Sequence, residues 1–177
     1  SFSMDDVIFF EKTEDARTAV FQTAKESMPE KLAAYLRQKN LRTYTHQAEA
    51  YDAVRRGENI ILTTPTASGK TLSCLLPVFA KLMENPDATA LLIYPTKALT
   101  RDQFLTIQEM DTALNARTRP AIYDGDTKQE ARSKIRSRSR IILTNMYELH
   151  HILPWRAKWG DFFANLSFVV IDEAHKY

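Results

Sequence analysis

Glycine and cysteine are both scarce in this chain, and each scarcity narrows what it can be. Only four glycines occur in 177 residues, and Gly57, Gly69 and Gly125 fall where turns are expected, so no Gly-rich linker or repeat divides the sequence. One cysteine, Cys74, excludes an internal disulfide and a cysteine-rich zinc cluster. Among Leu72, Leu75 and Leu76 it reads as a small buried helix residue and not as a nucleophile. No apolar run approaches the ~20 residues needed to span a bilayer, so no membrane partner is expected. The first residues, Ser1-Phe2-Ser3-Met4-Asp5-Asp6, carry acid where a signal peptide needs base. Net charge is slight as well, +2, so any case for a polyanionic partner has to be local. What is present is an ordinary globular composition, 44% hydrophobic and 26% charged, in a length that suits one domain with a real core.

Residues 1–29 read as an N-terminal extension. Within it Ala16, Val20, Ala24 and Met28 recur every four residues and predict a helix on the domain edge. A domain over residues 30–177 follows. Its first helix runs from Glu30 to Gln38 behind Pro29, and a second from about Thr45, as N-cap, to Arg56, ended by Gly57. Short apolar runs then alternate with helical stretches: strands at Ile60–Thr63, Ala90–Tyr94, Arg119–Tyr123, Ile141–Thr144 and Phe168–Ile171, helices near Lys70–Met83, Lys97–Leu114 and Lys128–Ser137. Continuous apolar strands separated by helices predict an α/β fold, a parallel sheet with helices on both faces. Such sheets bind ligands beyond the carboxyl ends of their strands. Every unusual polar cluster here follows a strand: Pro65 to Thr71, Pro95-Thr96-Lys97, Asp124-Gly125-Asp126, Asn145, and Asp172-Glu173.

Two of those clusters together imply nucleoside triphosphate hydrolysis. Thr64-Pro65-Thr66-Ala67-Ser68-Gly69-Lys70-Thr71 ends in Gly-Lys-Thr, as a phosphate-binding loop must, although Thr64 and Ala67 stand where glycines are usual. Backbone N–H groups of Thr66, Ala67, Ser68, Gly69 and the first helical turn would face the phosphates. Lys70 would reach the β- and γ-phosphates, and the Thr71 hydroxyl would ligate Mg²⁺. In Asp172-Glu173-Ala174-His175 two carboxylates close a buried strand. Asp172 is expected to hold Mg²⁺, through water, and Glu173 to orient and deprotonate the attacking water. Lys70, Asp172 and Glu173 are thus the expected catalytic residues, converging on one ATP.

Over roughly Leu41 to Tyr177 the chain resembles the first RecA-like lobe of superfamily 2 DEAD/DEAH-box helicases, a P-loop NTPase fold. Tyr44-Thr45-His46-Gln47 is similar to the family's adenine-reading glutamine motif, and Gln47 could pair bidentately with the N6/N7 edge of adenine. Arg42 or Tyr44 could stack on that base. Tyr94-Pro95-Thr96-Lys97-Ala98-Leu99 and Leu143-Thr144-Asn145-Met146 resemble strand-binding motifs. The resemblance therefore implies Thr96, Lys97, Thr144 and Asn145 as contacts to single-stranded or partly duplex DNA, favoured over RNA. His175 would couple the ATP site to a second RecA-like lobe. The wording of these motifs, with Tyr123-Asp124-Gly125-Asp126-Thr127 and Ile152-Leu153-Pro154, is similar to RecQ-related repair helicases of the Hrq/MrfA type, 3′-to-5′ DNA translocases with a cysteine-bearing C-terminal region. Met146-Tyr147 departs from the Pro-Asp common in relatives. An ATP-dependent helicase or translocase acting in DNA repair is the implied function, and the cytoplasm, with nucleoid association, its compartment. Another superfamily 2 motor, an RNA helicase or restriction-type translocase, or a nucleotide-binding piece without turnover, is the alternative.

The remaining features are weaker. Lys128, Arg132, Lys134, Arg136, Arg138 and Arg140 form a basic run whose i, i+4 row reads as a solvated face or a path for DNA. Adjacent His150 and His151 point apart on a helix and do not make a metal site. Trp155, Trp159, Phe162 and Phe163 read as a packing helix. The motif III strand, which in relatives lies between the phosphate-loop and DEAH strands, and the arginine fingers of a second lobe are not in these 177 residues. They are expected to belong to a longer protein, with a gap in the sheet and near-background turnover by this stretch alone.

Overall fold

The backbone groups of the apolar runs are satisfied in two parallel ladders. The computed structural model describes residues 7–11, 20–63 and 69–176. Strand β1 (Val7–Glu11) pairs in parallel with β2 (Asn59–Thr63). A second sheet runs β4 (Ala121–Ile122), β5 (Ile141–Thr144), β3 (Thr89–Ile93), β6 (Leu166–Ile171) in spatial order, every pair parallel. Helices α1 (Glu30–Gln38), α2 (Thr45–Arg55), α3 (Lys70–Glu84), α4 (Lys97–Leu114), α5 (Gln129–Arg138), α6 (Met146–Ile152) and α7 (Gly160–Ala164) make the connections. The chain forms two compact units, Ser1–Ala80 and Lys81–Tyr177. Among the described residues β1 and β2 form the sheet of the first unit and β3 to β6 that of the second.

In the first unit, Leu32, Tyr35 and Leu36 of α1 are buried, as the stripe predicts, and α2 buries Ala48, Ala50, Tyr51 and Ala53. The expected helix between Ala16 and Met28 is a correction. Residues 12–19 lie outside the described residues, and 20–29 are not helical. Their backbone groups are bonded elsewhere: Phe21 bridges Tyr44, Gln22 N–H donates to Thr43 O, and the N–H groups of Lys25 and Glu26 donate to the buried Asp52 carboxylate at 2.8–3.0 Å. An acceptor on α2 thus replaces the i−4 carbonyls a helix would need. Val20 is largely exposed, so its four-residue spacing marks no buried stripe. Tyr44, not Thr45, is the N-cap of α2.

The second unit has the doubly covered sheet that the continuous apolar runs predict. Strands β3 and β5 are buried on both faces. One face carries Leu91, Ile93 and Ile142 into a cluster with Tyr123, Ile152, Trp159 and Phe162. Trp159 stands edge-on to Tyr123 at 4.7 Å, so the aromatic run serves packing. The other face presents Ala90, Leu92, Ile141 and Leu143, on the side where α4 runs with buried Ile107, Met110 and Leu114. Each Leu, Ile or Met side chain here is worth about 1.5–3 kcal/mol when fully buried. Strand β4 is shorter than expected because Arg119 adopts φ 52° and Pro120 supplies no N–H for the ladder. Strand β6 leaves Val169 and Ile171 about half exposed.

Arg140, expected in the basic run, is instead a clamp. Its Nη2 donates to the carbonyls of Leu82 and Asn85, both at 2.6 Å, and its Nε to Ala88 at 3.1 Å. Burial pulls its pKa below the ordinary arginine value, but the carbonyls at the end of α3 receive a charged donor where the helix dipole favours one. Arg140→Met should lower stability by about 2–3 kcal/mol, read as a shift in urea midpoint with an unchanged slope.

Candidate ATP and strand-binding site

Residues 64–68 lie outside the described residues, so the expected roles of Thr66, Ala67 and Ser68 are proposals only. The turn into α3 is defined from Gly69 onward. Gly69 has φ 78°, a left-handed conformation. Its carbonyl accepts the N–H groups of Leu72 and Ser73, opening α3 with Lys70 and Thr71, both half-buried, in its first turn. The N–H groups of Lys70 and Thr71 stand ahead of the first helical bond, where an anion is favoured.

Gln47, expected to read adenine, is held within the first unit. It is 2% exposed. Its carbonyl oxygen accepts the Tyr44 N–H at 2.9 Å and its amide donates to Gly69 O at 3.0 Å. The glutamine therefore ties the start of α2 to the turn that opens α3. A Cβ on Gly69 would lie 2.5 Å from Gln47 Nε2, which is why this position takes glycine for space as well as for φ. Tyr44 and Arg42, expected to stack on a base, are also engaged. Tyr44 lies between Phe21 (5.1 Å) and His46 (5.7 Å), and the Arg42 guanidinium sits 4.3 Å over Phe21. Phe21 gave no sequence signal, because its partner is 23 positions away.

In the second unit the carboxyl ends of the parallel strands bring the remaining candidates to one edge. Asp172 N–H donates to Ile93 O at 2.9 Å, so the Asp172-Glu173 pair leaves β6 beside the end of β3. Asp172 Oδ1 accepts the Glu173 N–H at 3.0 Å. Glu173 has φ 50°, rare for a long side chain and worth of order 1–3 kcal/mol of strain. Its Oε2 is 3.4 Å from Nε2 of the exposed His175. A half-buried oxygen donor set of this kind, with no lysine or arginine ion pair among the described residues, suits a hard divalent cation.

Beyond β3, Thr96 caps α4, its hydroxyl accepting from Leu99 N–H at 3.2 Å, and exposed Lys97 comes next. Beyond β5, the Asn145 side chain accepts from Glu148 N–H at 2.9 Å and caps α6. Thr144 needs correction as a strand contact: it is fully buried and its hydroxyl donates to Tyr123 O at 2.7 Å. It fastens β4 to β5 and leaves the surface to Asn145.

The cationic row of α5 is corrected too. Arg132 donates to Glu148 Oε1 (3.0 Å), Thr127 O (3.1 Å) and Asp124 O (2.9 Å), and lies over the Tyr123 ring. Arg136 donates to the Tyr123 hydroxyl at 3.2 Å. Burial opposes the Arg132 charge, yet the hydrogen bonds to Tyr123 and Glu148 outweigh it and hold the pKa above the ordinary value. Lys128, Lys134 and Arg138 remain exposed. Arg132 and Arg136 thus face the protein, and Arg132 ties the 124–127 loop to α6. Its buried acceptor, Glu148, carried no signal in the sequence. His150 and His151 are exposed, and no metal-binding cluster occurs among the described residues.

Parallel strands joined by helices, one helix opened by a Gly-Lys-Thr turn and one strand closed by an Asp-Glu pair, make this an α/β fold of the RecA-like helicase type. The chain belongs to the DEAD/DEAH box helicase family, whose model matches residues 44–177. Its relatives include the uncharacterized ATP-dependent helicase YprA of Bacillus subtilis, 39% identical over 165 residues, which span 92% of this chain and 22% of YprA. The ATP-dependent helicase HRQ1 of Saccharomyces cerevisiae is 40% identical over 137 residues, 76% of this chain and 13% of HRQ1. The crystal structure of the DUF1998 helicase MrfA bound to DNA and AMPPNP superposes with TM-score 0.87 at 40% identity, covering 91% of this chain and 23% of that one. The resemblance to the Hrq/MrfA type is therefore borne out. The chain spans less than a quarter of the length of these relatives.

Gly69→Ala should destabilise the first unit by about 1–2 kcal/mol from the left-handed backbone alone, more with the clash on Gln47. Adding Gln47→Ala should recover part of the loss, a sign of contact that a thermal-melt double-mutant cycle reads directly.

Proposed function

We propose that the chain is the ATP-binding lobe of an ATP-dependent DNA helicase or translocase of the Hrq/MrfA type, acting in DNA repair beside the nucleoid. The observation that carries this is the Asp172–Ile93 hydrogen bond. It sets the hydrolytic carboxylates at the end of β6 against the end of β3, whose next residues are Thr96 and Lys97. A change at the carboxylates thus has a backbone route of one ladder rung to the strand contacts. The relative crystallised with DNA and AMPPNP supports the same pair of ligands.

In this reading the Gly69 turn and the first amides of α3 receive the phosphates, Lys70 balances their charge, and Thr71 and Asp172 are the residues that would hold Mg²⁺. The bound metal would neutralise charge developing on the β- and γ-oxygens. Glu173 orients the attacking water and takes its proton. His175, beside Glu173, relays the state of the site to a second RecA-like lobe, which supplies the arginines that complete catalysis. Thr96, Lys97 and Asn145 hold the phosphates of a single strand without reading its sequence. Gln47 would favour adenine by exchanging its Gly69 bond for the base. Among the described residues no helix is long and apolar enough to cross a membrane.

In the full-length protein, Glu173→Gln should retain ATP binding while turnover falls roughly 10²–10⁴-fold; Lys70→Ala should lose both. Turnover should rise with oligo(dT) and less with oligo(U). Equal ATPase rates in wild type and Glu173→Gln would end the mechanism, and stimulation by RNA alone would end the DNA assignment.

A further inference from the structure

Lys97, proposed to hold a strand phosphate, already has a partner. Its Nζ lies 2.8 Å from Asp126 Oδ2, and Arg101, one turn along α4, places Nη2 3.5 Å from the same oxygen. All three side chains are about half exposed or more. Ion pairs this exposed contribute little to stability, and the fold has other ties here. Yet the carboxylate is held with care. Asp126 N–H donates to Asp124 Oδ1 at 2.9 Å, Asp124 N–H to Thr127 Oγ1 at 2.9 Å, and Thr127 N–H to Asp124 O at 3.1 Å. The partly buried Arg132 then clamps the carbonyls of Asp124 and Thr127 from behind. A fixed loop therefore presents one anion to two cations on the edge where a strand would lie.

We propose that Asp126 is a built-in stand-in for a backbone phosphate: it occupies Lys97 and Arg101 in the empty lobe, must be displaced by an incoming single strand, and so sets a low affinity suited to a motor that releases its track. This rests on Lys97 being a strand contact. The hydrogen bond to Asp126 raises the Lys97 pKa and lowers that of Asp126, so both stay charged around neutrality. With the carboxylate present the three groups sum to one positive charge; without it, two meet the phosphates.

The test is fluorescence anisotropy of oligo(dT) binding to the full-length protein over a salt series. Asp126→Asn should tighten binding roughly two- to fivefold at low salt and steepen the log K against log salt slope by about 0.7, one further single-strand phosphate contact. Glu130→Gln, the same charge change on the exposed face of α5, should do neither. In a Lys97→Ala/Arg101→Ala background the Asp126→Asn gain should vanish. Weaker or unchanged binding by Asp126→Asn overturns the proposal, as does an equal gain in the double-alanine background, which would mark a general charge effect. If Lys97→Ala/Arg101→Ala leaves oligo(dT) affinity unchanged, the strand-contact reading itself fails, and the stand-in falls with it.

Discussion

The end rungs of the parallel ladder, Tyr94 N–H to Thr144 O at 3.0 Å and Asp172 N–H to Ile93 O at 2.9 Å, are what the second unit's chemistry depends on. Backbone groups buried in a sheet must find partners, and in parallel strands that requirement delivers every carboxyl end to the same edge. Asp172 and Glu173, Thr96 and Lys97, and Asn145 are neighbours for this reason and not because they attract one another. The groups proposed to act in hydrolysis and in holding a strand become adjacent ends of one hydrogen-bonded lattice, stiffened beneath by β3 and β5, which are buried on both faces.

Two backbone positions carry the cost of this arrangement. Gly69 in the first unit and Glu173 in the second both lie at positive φ. At Gly69 the absence of Cβ removes the penalty and also admits the Gln47 amide. At Glu173 a full side chain sustains it, held by the bonds of Asp172 to Ile93 and of Glu173 to Asp172. Strain of that kind persists where the surroundings over-determine the backbone, and it gathers at working positions.

Much of the fold was legible. The α4 boundaries and those of β5 match their expected residues, and α1 does as well, because each is bounded by a local signal: Pro29, the Thr96 cap, an unbroken apolar run. The Asp172-Glu173 position at the end of β6 was legible for the same reason, as a contiguous string after a strand. Strand β1 and the non-helical 20–29 segment were not, since their partners, β2 and Asp52, lie about 25 to 50 positions away. Arg132 and Arg140 were misread as solvent-facing cations. A four-residue spacing says which side chains share a face, not whether that face meets water.

The sequence by itself determined the order of elements and the parallel architecture, both of which depend on neighbours within a few positions. Only the tertiary structure decided how the polar side chains are used. Gln47 became a strut, Thr144 a buried tie, Arg140 a helix clamp, and Asp126 the partner of Lys97. Each of those outcomes is a hydrogen bond or ion pair reaching 21 or more residues along the chain, and a burial cost settled by atoms that no local pattern contains.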